Sequence, residues 1–119
     1  MITNLLLVGA GGAGGSMLRY LCLRFFNTAA FPYGTLLVNI AGCFLAGVLT
    51  GIFFKNNAHT SLSLLLITGF CGGFTTFSAF SLDGIQLLQK GQLLWLSLYI
   101  SASVFAGLLF AFLGIKIST

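Results

Sequence analysis

Residues 69–80 read GFCGGFTTFSAF, a stretch of glycine, threonine and serine inside a segment otherwise built of Leu, Ile, Ala and Phe. Each interior glycine costs a helix about 1 kcal/mol relative to alanine. In hydrocarbon, every backbone group that such a weak point frees costs several kcal/mol more unless it is paired. The stretch therefore predicts an interruption at Gly72 to Thr76 that is enclosed in protein or lines water. A Gly kink with the threonines bonded to the preceding turn is the plainer reading, and local sequence does not choose between them.

The surroundings decide the class. The chain has 119 residues, of which 58% are hydrophobic and 5% charged, and its mean hydropathy is +1.09. A soluble domain carries about a quarter charged residues, so this is an integral membrane protein. Runs long enough to cross a hydrocarbon core of about 30 Å fall at residues 2–25, 34–54, 61–88 and 91–115. The connections NTAAFPY (27–33) and KNNAHTS (55–61) are short and hold the one proline, Pro32. The expected architecture is an all-α, single transmembrane domain over residues 1–119 with four helices, the third broken.

Charge carries the next step. Five Lys or Arg against one acid give a formal charge of +4, but the basic residues are scattered, which argues against a nucleic-acid partner. The N-terminus MITNLLLVGA has no basic region of the kind that precedes a cleaved leader. Four spans put Lys55 and Lys116 on one side and Arg24 and Lys90 on the other, with Arg19 if it reaches the interface. The bias that normally orients a membrane protein is nearly zero. A chain that inserts either way can pair with an inverted copy, and inverted halves related by an axis in the membrane plane build many transport sites. Small residues at four-residue spacing, Gly11–Gly15, Gly47–Gly51 and Ser103–Gly107–Ala111, predict close helix packing. Cys22, Cys43 and Cys71 each lie in an apolar run and read as small core residues.

Polar residues inside the spans are few. Asn39 follows Thr35 by one turn, Ser103 follows Tyr99 by one turn, and Phe77 and Phe80 share a helix face beside Ser81. Phenyl rings have a positive edge, and neutral amides and hydroxyls donate hydrogen bonds without the deep well of a formal charge. Enzyme chemistry is hard to assemble, because Asp83 is the one acid and His59, in an expected loop, the one histidine. Proton-coupled export of the small multidrug type lacks the acid inside a span that would carry the proton. Passive permeation, or a non-transporting assembly role, remains.

GFCGGFTTFSAFSLD (69–83) resembles the third-helix signature of the bacterial fluoride channels of the Fluc or CrcB family. GTLLVNIAGCFLAG (34–47) resembles their second helix and GGAGGSMLRY (11–20) their first, so that the resemblance covers essentially the whole chain. It implies a dual-topology antiparallel homodimer in the bacterial inner membrane, with two pores that let fluoride leave the cytoplasm. By position, Phe77 and Phe80 would meet the ion and Asn39 would orient it. Ser81, Tyr99, Ser103 and Thr35 would belong to a polar track, and Arg19 would draw anions into the vestibule. Gly72 and Thr75 would give backbone carbonyls from both subunits to a structural sodium ion. Ala79 and Gly107 stand where many or some relatives carry a hydroxyl.

Overall fold

The computed structural model describes residues 1–56 and 61–119; His59 lies outside the described residues. Four apolar helical stretches are each long enough to cross a membrane: α1 (Ile2–Phe26), α2 (Tyr33–Lys55), the third span Ser61–Gln89, and α5 (Leu93–Ser118). The chain is a multi-pass membrane protein. The third span divides into α3, residues 61–74, and α4 (Phe77–Gln89). Between them Thr75 (φ −84°, ψ 154°) and Thr76 (φ −150°, ψ 118°) are extended. The interruption thus falls on the two threonines. Gly72 and Gly73, inside the expected break, are still helical. Residues Leu64–Cys71 wind as a π-helix, a wide turn that is rare and concentrates near functional sites.

The turns follow from side-chain chemistry. After α1 the Thr28 hydroxyl both receives the Phe31 N–H (3.1 Å) and donates to the Phe31 carbonyl (3.0 Å), closing a tight loop. Asn27 Oδ1 accepts the Thr35 N–H at 3.0 Å, which pairs an orphan donor in the first turn of α2. At the other hairpin on this side, Gly91 has φ +72°, and Gly91 and Gln92 return their N–H groups to Leu88 and Leu87. That left-handed glycine stop is why the last helix begins at Leu93 and not at Gly91. Lys90 Nζ donates to the Ala29 carbonyl at 2.8 Å, tying the two loops together.

Small residues set the packing. α2 and α5 run parallel in close contact: Gly47 lies against the Ala111 backbone, Gly51 against Ile115 and Ser118, and Gly114 against Phe44 and Val48. α1 and α3 pair in the same way, with Gly11 and Gly15 against residues 65–74. A Cβ on Gly73 would sit 2.9 Å from Gly12 Cα. Backbones approach at these points because nothing larger than hydrogen stands between them, the usual route to helix association in lipid. Few large side chains are enclosed within one chain. Val38, Thr35 and Tyr99 are fully buried, while most Leu, Ile and Phe face outward, toward lipid or another polypeptide.

Candidate functional site

The extended pair Thr75–Thr76 interrupts the helical ladder, and the neighbouring side chains take over part of it. Asn39, from the middle of α2, holds Thr76 at both ends: its Nδ2 donates to the Thr76 carbonyl at 3.1 Å and its Oδ1 accepts the Thr76 N–H at 2.7 Å. Thr76 is the N-cap of α4, its Oγ1 accepting the Ala79 N–H at 3.1 Å. The Thr75 N–H and hydroxyl both return to the Cys71 carbonyl, at 3.0 and 2.9 Å. Arg19 reaches across from α1 and its Nε donates to the Gly73 carbonyl at 3.0 Å. Among the described residues, no such donor reaches the carbonyls of Gly72 and Thr75. Gly72 is also exposed, and a Cβ there would meet nothing closer than 3.9 Å.

Beside the break opens a cleft of about 280 Å³ lined by Asn39, Cys43, Thr75, Thr76, Phe77, Phe80, Ser103 and Val104. Its polar groups are sparse. Among the described residues, the Ser103 hydroxyl is buried with no hydrogen-bond partner, and Asn39 retains one amide hydrogen beyond the one given to Thr76. Phe77, 80% exposed, flanks the opening, with its ring 5.7 Å from that of Phe80. Phe80 in turn lies 5.2 Å from Tyr99, and Tyr99 stands edge-on to Phe31 at 5.5 Å. An aromatic column thus runs from the cleft to the loop that follows α1.

The remaining residues named from sequence fall in different places. Tyr99 donates its hydroxyl to Asp83 Oδ2 at 3.2 Å. The Asn27 side-chain amide donates to Thr35 at 3.4 Å. Asn27 and Asp83 both line a cavity of about 200 Å³ formed by residues 27–32 with Asp83, Gln86, Leu87 and Lys90. Ser81 is not in the cleft. It lines a separate groove with Phe80, Gly84, Ile85, Leu88, Leu96 and Ile100. Arg19 is committed to Gly73 as described. Asp83, Asn27 and Thr76 were not among the residues singled out as a site. A Thr three residues before Ala79, ahead of an apolar run, is a readable cap signal, whereas the Asp83–Tyr99 pairing spans 16 positions on two helices and has no local signature.

Residues 6–115 match the family described as CrcB-like protein, Camphor Resistance (CrcB). The chain belongs to the CrcB family. The fluoride-specific ion channel FluC of Flavobacterium psychrophilum is 50% identical to it over 115 residues, 93% of each chain. The FluC of Rhizobium etli is 50% identical over 117 residues, 94% of this chain and 93% of the relative. That of Rhizobium meliloti is 50% identical over 120 residues, 98% and 96%. These CrcB-family relatives carry the name of an ion channel, not of an enzyme.

Proposed function

We propose that this protein is a fluoride-selective channel that lets fluoride leave the cytoplasm passively and so protects the cell against it. The observation that carries the proposal is the agreement between close, full-length relatives named as fluoride-specific channels and a cleft whose polar groups are neutral donors, the Ser103 hydroxyl above all. Fluoride is small and strongly hydrated, so a pore must offer many donors without a well too deep to leave. Hydroxyl, amide and phenyl-edge hydrogens meet that requirement. HF crosses membranes and dissociates inside, and a negative-inside potential, worth about 2.3 kcal/mol per charge per 100 mV, drives the trapped anion out. The path takes in Asn39, Phe77, Phe80 and Ser103, and continues over Tyr99, Thr35 and the Ser81 face.

The functional unit in this reading is an antiparallel homodimer in the bacterial inner membrane, the third helix of each copy broken at the dimer axis. The near-absence of charge bias supports it, as does the outward-facing apolar surface of a single chain. The carbonyls of Gly72 and Thr75 fit a cation, since they are neutral oxygens without a donor among the described residues, and a Cβ on Gly72 would have open space around it. Two such pairs, one from each copy, suit a monovalent ion such as sodium better than Ca²⁺ or Zn²⁺, because no carboxylate, thiolate or imidazole joins them. Bound there, it would hold the two breaks together. The test is efflux from liposomes containing the purified protein: fluoride should leave and chloride should be retained. Equal efflux of both anions refutes selectivity, and efflux that needs a proton gradient refutes passive conduction.

A further inference from the structure

We infer that Arg19 is a positioning residue of the helix break, acting through one directed hydrogen bond to Gly73 and not through its charge. The inference rests on the proposed function for its flux readout, and on geometry for its content. Arg19 lies on α1, 54 positions before Gly73, and its Nε–H meets the Gly73 carbonyl at 3.0 Å. That carbonyl lies within two residues of the extended pair, where the helical ladder stops. It would be an orphan in a site removed from water, and such a group is expensive. Asn39 does the corresponding work from α2 on Thr76. The break is therefore clamped from two sides, by a guanidinium on its α3 end and an amide on its α4 end. The backbones are close enough for this because Gly12 and Gly15 let α1 lie against Gly73 and Phe74. With Gly73 taken by Arg19, the carbonyls of Gly72 and Thr75 are those left without such a donor among the described residues.

The side chain offers a clean way to separate bond from charge. In arginine, Nε is the fourth atom beyond Cα. Glutamine carries its amide nitrogen at that same place, methionine a methyl carbon, and lysine a methylene with its ammonium one bond further out. Arg19→Gln thus keeps the donor and loses the charge, Arg19→Met loses both, and Arg19→Lys keeps the charge and displaces the donor. Fluoride flux is measured in liposomes as a function of fluoride concentration for the full-length protein and each variant. The expected result is a maximal flux for Arg19→Gln within about threefold of the parent and for Arg19→Met lower by about tenfold or more, the factor a single buried hydrogen bond commands. Half-saturating fluoride should be unchanged in both. A role as an anion-attracting charge gives the opposite order: Arg19→Lys near the parent, with Arg19→Gln and Arg19→Met equally impaired and shifted to higher half-saturating fluoride. That result, or three variants alike, overturns the inference. If Arg19→Met does not accumulate, Arg19→Gln against Arg19→Lys decides. If the parent itself conducts no fluoride, the channel reading fails, and the same order sought in the thermal stability of the solubilised protein still tests Arg19.

Discussion

Replacing Asn39 by leucine probes how the break is held, because leucine has the same number and branching of side-chain heavy atoms, all apolar, and leaves no cavity. It removes both hydrogen bonds to Thr76, at 3.1 and 2.7 Å. Thr76 is 8% exposed, so its N–H and C=O have no water to turn to. A buried group left unsatisfied costs about 1–3 kcal/mol, which puts the upper bound for the pair at about 6 kcal/mol. Measured hydrogen bonds within membranes average about 0.6 kcal/mol, since the unfolded chain also finds partners in the bilayer, and this sets a lower bound near 1 kcal/mol. Backbone groups at a fixed interruption have little freedom to find a substitute, so the effect should lie well above the lower bound, about 3–5 kcal/mol. For a chain of this size that corresponds to a fall of roughly 10–20 °C in melting temperature. The assay is thermal unfolding of the detergent-solubilised protein, followed by loss of its elution peak after heating. A melting temperature within about 2 °C of the parent would refute the argument that Asn39 carries the backbone of the break.

Four further outcomes are expected. Two lysines added near the C-terminus in one protein, and two in the loop after α1 in another, should lock opposite orientations that are inactive separately and active together; full activity from one refutes the antiparallel dimer. Phe80→Ile keeps most of the apolar contact with Tyr99 at the ring's position, so fluoride efflux should fall in a protein that still assembles, and unchanged efflux returns Phe80 to simple packing. Gly47→Leu drives a side chain into the Ala111 backbone and should abolish folded protein in membranes, whereas Gly9→Leu, with nothing within 4 Å, should not. Thr75→Ala keeps the carbonyl and should retain sodium-dependent stability, while Gly72→Leu, on an open outward face, should weaken dimer assembly and cation binding together; a stable dimer for Gly72→Leu counts against the axial site.

The spans were legible because hydropathy is a sum over about 20 residues and one residue hardly alters it. The interruption was legible in kind and displaced in detail. Its glycines suggested the weak point, yet Gly73 is there to let α1 approach, and it stays helical with Gly12 against it. The extended residues are the β-branched threonines, whose side chains favour that backbone. Asn39 was legible as an intramembrane amide. Its partner was not, since Thr76 lies 37 positions away and no period of helix or strand links them. Ser81 was read as one turn beyond Phe77, on the face that Phe77 shares with Phe80. Within one chain it lines a groove with Phe80, Gly84 and Ile85. Arg19 was read by its charge, and only the fold reveals that its nitrogen has a fixed acceptor.

The accounting of donors explains how a pore can bind fluoride without trapping it. An asparagine side chain offers two N–H donors. One of those on Asn39 is spent on Thr76, together with a lone pair of its oxygen, so a single N–H remains for an ion in the cleft. Ser103 adds one hydroxyl with no partner among the described residues, while the Thr76 and Thr75 hydroxyls are already engaged with Ser78 and Cys71. In the proposed path, two strong donors fall well short of the hydration shell of a small anion, and the deficit would be left to the ring edges of Phe77 and Phe80, whose attraction is weaker. A site completed in this way is shallow. The same clamp that keeps the helix break rigid therefore lowers the number of donors free to hold the ion, and replacing Ser103 by alanine, which removes one of the two strong ones, should lower flux more than the loss of either phenyl edge taken as a packing contact.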